Sequence, residues 1–187
     1  MSKIAPGFLV AAPVLRDPNF AGTVVLMVDH NEEGALGFVV NRPASASLGD
    51  VLDYLGMGEE DASSEVPVMV GGPVSPHTGW VVFESPPELE TGGDVLVVTP
   101  GLAVSASKRV LREAAQCELD GRSMLVQGYA GWGPGQLEGE LREGVWIPVD
   151  LDERVLFDTE PGGRWSAALA VLGIHPGSIA GGSVAEA

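Results

Sequence analysis

Asp29-His30-Asn31-Glu32-Glu33-Gly34-Ala35-Leu36-Gly37-Phe38-Val39-Val40-Asn41-Arg42-Pro43 is the stretch that decides the fold, because here polar side chains cluster tightly between two strongly apolar runs. Ahead of it, Val24-Val25-Leu26-Met27-Val28 is continuously β-branched and aliphatic, the pattern of a strand buried on both faces. Asn31-Glu32-Glu33-Gly34 reads as a turn, since Asn can cap its own backbone and Gly34 supplies the positive φ that closes it. Residues 36–40 return as a second strand and carry Asn41 and Arg42 back toward the end of the molecule that the chain left.

Working outward, residues 7–12 read as a first strand ended by Pro13, and residues 15–20 as a turn-rich connection. After Pro43, Ser47 caps a helix with Asp50 three residues on. Leu48, Val51, Leu52 and Leu55 fall on one face of it, and Gly56 ends it. Residues 58–65 are acidic and read as a mobile tip. Residues 67–70 form a strand that runs into a bend at Gly71-Gly72-Pro73, followed by short strands at 80–83 and 94–98. A helix is expected over 105–116 and a strand over 123–127. A glycine-rich loop then spans 128–135, and a short amphipathic helix spans 136–143. Residues 155–157 read as a last strand. Trp165, Leu169 and Leu172 mark one face of a final helix that stops at Gly173. The whole predicts a single domain over 1–176 and a flexible tail over 177–187, with neither repeat nor internal boundary.

At 187 residues the chain is long enough to bury roughly 70% of the surface its unfolded form exposes. Its 26 glycines and 14 prolines predict many turns between short strands, hence a strand-rich α/β or α+β domain. A net charge of −16 repels phosphate backbones. Lys108, Arg109 and Arg112 form the one basic cluster in sequence, flanked by Glu113 and Glu118. With no helix-turn-helix, zinc finger or basic arm, direct binding to nucleic acid is not expected. Cys117 is alone, so an intrachain disulfide and a four-cysteine zinc site are excluded and a reducing cytoplasm fits. The apolar run at 8–12 is too short for a signal segment, and nothing approaches the length of a membrane helix.

His30, His77 and His175 show no metal-ligand spacing, so no metal or cofactor is expected. His30 is the best candidate for chemistry. The competing reading is a histidine satisfied by the turn backbone or by Asn41. Asn31 and Asn41 suit recognition of a polar ligand, or equally the local backbone. Gly71-Gly72-Pro73 suits a close ligand approach, or equally a tight bend. The loop before Gln136 lacks the Gly-Lys-Ser/Thr of a phosphate cradle, and Glu138 and Glu140 load that helix start with negative charge. No Gly-x-Ser-x-Gly elbow is present, and Glu118 beside Cys117 opposes a thiolate.

Taken together these stretches resemble the YqgE/AlgH family of small bacterial proteins. The likeness rests on 29–37 with Asn41-Arg42-Pro43, on Gly71-Gly72-Pro73, and on Gly128-Tyr129-Ala130-Gly131-Trp132 followed by Gln136, Glu138 and Glu140. It extends to Phe8-Leu9-Val10-Ala11, Asp17-Pro18-Asn19-Phe20 and Arg164-Trp165, in colinear order over almost the whole chain. The resemblance implies an α+β domain built on a bulged, coiled antiparallel sheet with peripheral helices. It also implies a label of transcriptional regulator, drawn from a genetic association with alginate control. Many members carry a cysteine where this chain has Val28, so a redox role at that position does not transfer, and the tail beyond Gly177 departs from the pattern.

Two functions follow as expectations. The first is a cytoplasmic, non-enzymatic regulatory or ligand-binding protein, its partner a small molecule or protein. Its surface would be built by His30, Asn31, Asn41, Arg42, Gly71, Gly72, Pro73, Tyr129, Trp132, Gln136 and Glu140, with Tyr129 and Trp132 as apolar walls. The alternative is an enzyme acting on a small polar or nucleotide-like substrate, with His30 as acid/base. A deep pocket with His30 beside a carboxylate favours the enzyme, and a flat patch favours a partner. On the surface reading, His30→Ala and Asn41→Ala both keep a near-native melting temperature and lose binding.

Overall fold

Every residue of β1 (Gly7–Ala11) is buried, and its side chains serve two cores in alternation. In the computed structural model, which describes residues 4–58, 65–86 and 93–180, Phe8 and Val10 face one core while Leu9 and Ala11 face the other. β2 (Val24–Asn31) repeats the pattern, with Val24 and Leu26 on the first side and Val25 and Met27 on the second. The unbroken apolar runs are thus strands covered on both faces, and each fully buried side chain of this size contributes about 1.5–3 kcal/mol.

β3 (Gly34–Val39) pairs antiparallel with β2 through a two-residue turn at Glu32 and Glu33. Asn31 caps that turn, its Oδ1 accepting the Glu33 N–H at 2.8 Å. α1 (Leu48–Tyr54) carries the expected capping box: Ser47 Oγ accepts from the Asp50 N–H, and Asp50 accepts from the Ser47 N–H. β4 (Val68–Val70), β5 (Val74–Glu84), β6 (Val95–Thr99) and β7 (Leu102–Ser105) follow. Next come α2 (Lys108–Ala115), β8 (Ser123–Trp132), α3 (Gln136–Arg142), β9 (Trp146–Val149), α4 (Glu153–Phe157), a 3-10 turn at Pro161–Gly163, α5 (Arg164–Val171) and α6 (Pro176–Ala180).

Among the described residues the strands form one nine-stranded sheet in the order β6-β7-β5-β8-β3-β2-β1-β9, with β4 paired to β8 off this path. The sheet is antiparallel except for the β4–β8 pair, and it curls into a half-barrel, so the α+β reading holds. Register shifts between Met27 and Asp29, Val74 and Gly79, and Val97 and Thr99 are its bulges. α4 and α5 cover the first core through Leu156, Ala168 and Leu169, and α3 covers the second through Leu137. α1 and α2 close a third cluster against β5 and β8, with Leu48, Val51, Leu52, Val110 and Leu111. Among the described residues no helix is long and apolar enough to cross a membrane.

Four local readings are corrected. Residues 155–157 are helical, because Asp152 accepts the Arg154 N–H at 3.1 Å and caps a turn that overrides the apolar run Val155-Leu156-Phe157. Residues 128–132 are strand, since β8 runs on to Trp132 and pairs with β3. Leu172 lies past the end of α5 and is 43% exposed. The first residues of the expected tail belong to α6, with Ile179 packed on the first core. Most of the acidic tip, 59–64, and the end of the tail, 181–187, lie outside the described residues.

Candidate functional site

The bulge in β2 positions the central side chain. Met27 pairs with Gly37 and Asp29 with Leu36, so Val28 is the extra residue. Strict alternation would send Asp29 toward the second core after Val25 and Met27. The inserted residue shifts the phase: Asp29 turns to solvent and His30, 9% exposed, turns under α3.

Both ring nitrogens of His30 are then engaged. Nδ1 accepts the Ile4 N–H at 3.3 Å, and Nε2 lies 3.0 Å from Glu138 Oε1. With Nδ1 accepting, the partners assign the ring proton to Nε2, which donates to the carboxylate. Among the described residues His30 is the one side chain hydrogen-bonded to the Glu138 carboxylate. That carboxyl is held below the usual carboxylate range by its own backbone N–H and, next, by the His30 ring. The pair stands at a cleft of about 570 Å³, whose other lining residues include apolar Ile4, Pro6 and Leu141 and charged Arg142 and Asp150. Arg142 is tied back to its helix, Nε donating to the Glu138 carbonyl at 3.1 Å.

Trp132, Gln136 and Glu140 lie on the same side of the sheet as His30 but are spent on packing. Glu140 Oε2 accepts from the indole nitrogens of Trp132 at 2.9 Å and Trp146 at 2.7 Å, while its Oε1 accepts from Gln136 Nε2 at 2.9 Å. The two indoles meet edge to face at 5.9 Å, and Phe20 packs on both. A carboxylate that satisfies two buried indole N–H groups is a structural clamp.

The remaining expected site residues sit elsewhere. Asn41 Oδ1 accepts the Val24 N–H at 2.8 Å and its Nδ2 donates to the Gly22 carbonyl at 2.9 Å. Arg42 donates to the carbonyls of Pro18, Asn19 and Ala21, pinning the loop before β2. His30 pairs with Ala35, so Asn41 and Arg42 lie about 20 Å further along the strand direction at ~3.3 Å per residue. Gly71 bridges two strands, its carbonyl accepting from the Val39 N–H and its N–H donating to the Gln127 carbonyl. Gly72 lies against the Tyr129 backbone, and Pro73 is exposed. Tyr129 packs on the first core and Trp132 on the second, so they do not share a pocket wall. Asn31 is exposed on the turn, its Nδ2 donating to Asp29.

The structure therefore brings His30 together with Trp132, Gln136 and Glu140, and it separates them from Asn41, Arg42, Gly71, Gly72, Pro73 and Tyr129. His30 is satisfied by Ile4 and Glu138, and neither the turn nor Asn41 supplies its partner. Sequence reading passed over Glu138, Arg142, Trp146 and Asp150 as lining residues. The available signal was the α3 periodicity, which places Glu138, Leu141 and Arg142 on one helical face.

A family model described as AlgH-like matches residues 8–177. A UPF0301 protein of Anaeromyxobacter dehalogenans is 44% identical over 190 residues, covering 98% of this chain and 96% of its own. A UPF0301 protein of Paracoccus denitrificans is 40% identical over 176 residues, 94% of this chain and 93% of its own. The solution structure of the AlgH protein from Pseudomonas aeruginosa superposes with a TM-score of 0.80 at 36% identity, covering 100% of this chain and 97% of that one. The crystal structure of a Corynebacterium diphtheriae protein superposes with a TM-score of 0.70 at 19% identity over 89% of this chain and 86% of that one, a likeness of fold.

Proposed function

The chain belongs to the AlgH-like family, and from that premise we propose that it is a cytoplasmic, non-enzymatic regulatory protein that binds a small molecule in the His30–Glu138 cleft. The observation that carries this reading is the arrangement of the pair: a buried histidine fixes a carboxylate at the mouth of an open, largely apolar cavity. Apolar walls with a few oriented polar groups suit capture of a ligand. Regulation without direct contact to nucleic acid fits the charge, because Arg109, Arg122 and Arg154 are each paired with acidic neighbours.

The enzyme alternative has one observation in its favour, that His30 does lie beside a carboxylate in a cleft. Against it, an acid/base must reach the substrate proton, and both His30 nitrogens are occupied by Ile4 and Glu138. The binding reading is the better supported.

A thermal-shift screen of a metabolite library tests it, since a ligand of the native state stabilises by mass action. At least one compound is expected to raise the melting temperature of the wild type and not that of Glu138→Gln, which keeps an acceptor for His30. Asn41→Ala is expected to melt lower, by the loss of two backbone partners worth about 1–2 kcal/mol in all, yet to respond to the same compound. A hit that stabilises Glu138→Gln as strongly as the wild type would place the ligand elsewhere.

A further inference from the structure

The charges lining the cleft narrow the class of ligand, an inference that rests on the binding reading above. Glu138 presents a carboxylate that accepts from His30 and, when ionised, has only acceptor capacity to offer. Asp150 is a second acid on the lining, exposed where Glu138 is half-buried, and among the described residues no side chain bonds it. Arg142, the basic residue of the lining, donates Nε to the Glu138 carbonyl and its charge acts on the Glu138 carboxylate, so the acids of the lining outnumber it by two to one. His30 adds no free donor, because its Nε2 proton is given to Glu138 and its Nδ1 is filled by Ile4. Beside the acids the lining includes apolar Ile4, Pro6, Leu141 and Pro148. A chain of net charge −16 also draws cations toward its clefts and repels anions.

We propose that the cleft takes an organic cation: an ammonium or guanidinium head paired with Glu138 and Asp150, on an apolar body laid against Ile4, Leu141 and Pro148. The head replaces its water with two charge-assisted hydrogen bonds, and the body removes apolar surface from water on both sides. A carboxylate of the same shape meets two acids against one arginine, and a neutral alcohol gains the walls alone.

Three probes with one apolar body separate these terms: 4-phenylbutylamine, 4-phenylbutanol and 4-phenylbutyrate, titrated at millimolar concentration into the full chain and followed by amide and indole chemical shifts. The amine is expected to give saturable shifts at Ile4, Leu141, Trp146 and Asp150, about tenfold tighter than the alcohol, with the carboxylate inert there. Glu138→Gln and, independently, Asp150→Asn are each expected to weaken the amine toward the affinity of the alcohol while leaving distant shifts in place. If the carboxylate binds at these residues as well as the amine, or all three bind alike, the cation class is overturned and the cleft remains a binding site. If none of the three perturbs the cleft, the cation class is overturned, while the binding reading is decided by the thermal-shift screen.

Discussion

Gly72→Ala is expected to cost about 4 kcal/mol or more, most of the stability of a domain at the low end of the ordinary range. A Cβ built at Gly72 lies 2.3 Å from the Tyr129 carbonyl carbon, 2.3 Å from its oxygen and 2.6 Å from the Ala130 nitrogen, and all three are backbone atoms that cannot rotate away. The residue also holds a φ of +150°, a region open to glycine and rarely adopted by other residues. Relief would require β8 to move away from the segment that follows β4, and Gly71 hydrogen-bonds to both of its neighbours there. Gly56→Ala is the matched control: its φ is +66° and among the described residues nothing lies within 4 Å of the added carbon, so it should cost only the left-handed penalty of about 1–2 kcal/mol. Urea unfolding of the two variants checks this, and equal losses would contradict the packing account of Gly72.

Arg164 carries the second large effect. It is 4% exposed, opens α5, and donates from Nε to the Thr159 carbonyl at 3.0 Å and from Nη1 to the Val40 carbonyl. Burial pushes its guanidinium down to about 10, with the nearby charge of Glu160 acting the other way, so it is still a cation at neutral pH. Its role is to tie the α4–α5 corner to the strand end after β3, across 124 residues of sequence. Arg164→Met keeps much of the volume and removes both donors, leaving the buried Val40 carbonyl and the half-buried Thr159 carbonyl without them at an expected cost of about 2–4 kcal/mol. Arg164→Lys can reach one carbonyl and should fall between. Chemical denaturation gives the ordering; an Arg164→Met protein as stable as the wild type would mean that the desolvation cost of the guanidinium cancels its bonds.

These two residues show where sequence reading succeeds and where it stops. The β2–β3 hairpin and α1 were legible because their determinants are local: an uninterrupted apolar run, an Asn-to-Gly turn, and a Ser–Asp capping box three residues apart. The insertion of β4 between the end of β3 and β8 was not legible. It depends on Gly71 and Gly72 allowing two backbones to meet, and a glycine pair in sequence equally signals a bend. The same ambiguity made a loop of residues 128–132, which are strand because β3 pairs with residues 130–132 and Val74 of β5 pairs with Tyr129.

The candidate site divides along the same line. His30 stood out by composition, but the bulge that aims it and the Glu138 that holds it, 108 residues away, are products of tertiary pairing. Asn41 and Arg42 looked like recognition groups because isolated polar side chains beside apolar strands carry the same signature whether they bind a ligand or a loop. Their partners are the backbone groups of Gly22, Val24 and the loop from Pro18 to Ala21. The expectation that Asn41→Ala keeps native stability is therefore replaced by the lower melting temperature given above.

The central claim is that ligand recognition lies at the His30–Glu138 cleft and that the polar residues at the far end of β3 are structural. Its most direct test is a map of amide and indole shifts for wild-type protein titrated with whichever compound the thermal-shift screen selects. The account predicts saturable shifts centred on Ile4, His30, Glu138, Leu141, Trp146 and Asp150. Shifts centred on Asn41, Arg42 and Gly71–Pro73, with the cleft undisturbed, would contradict it.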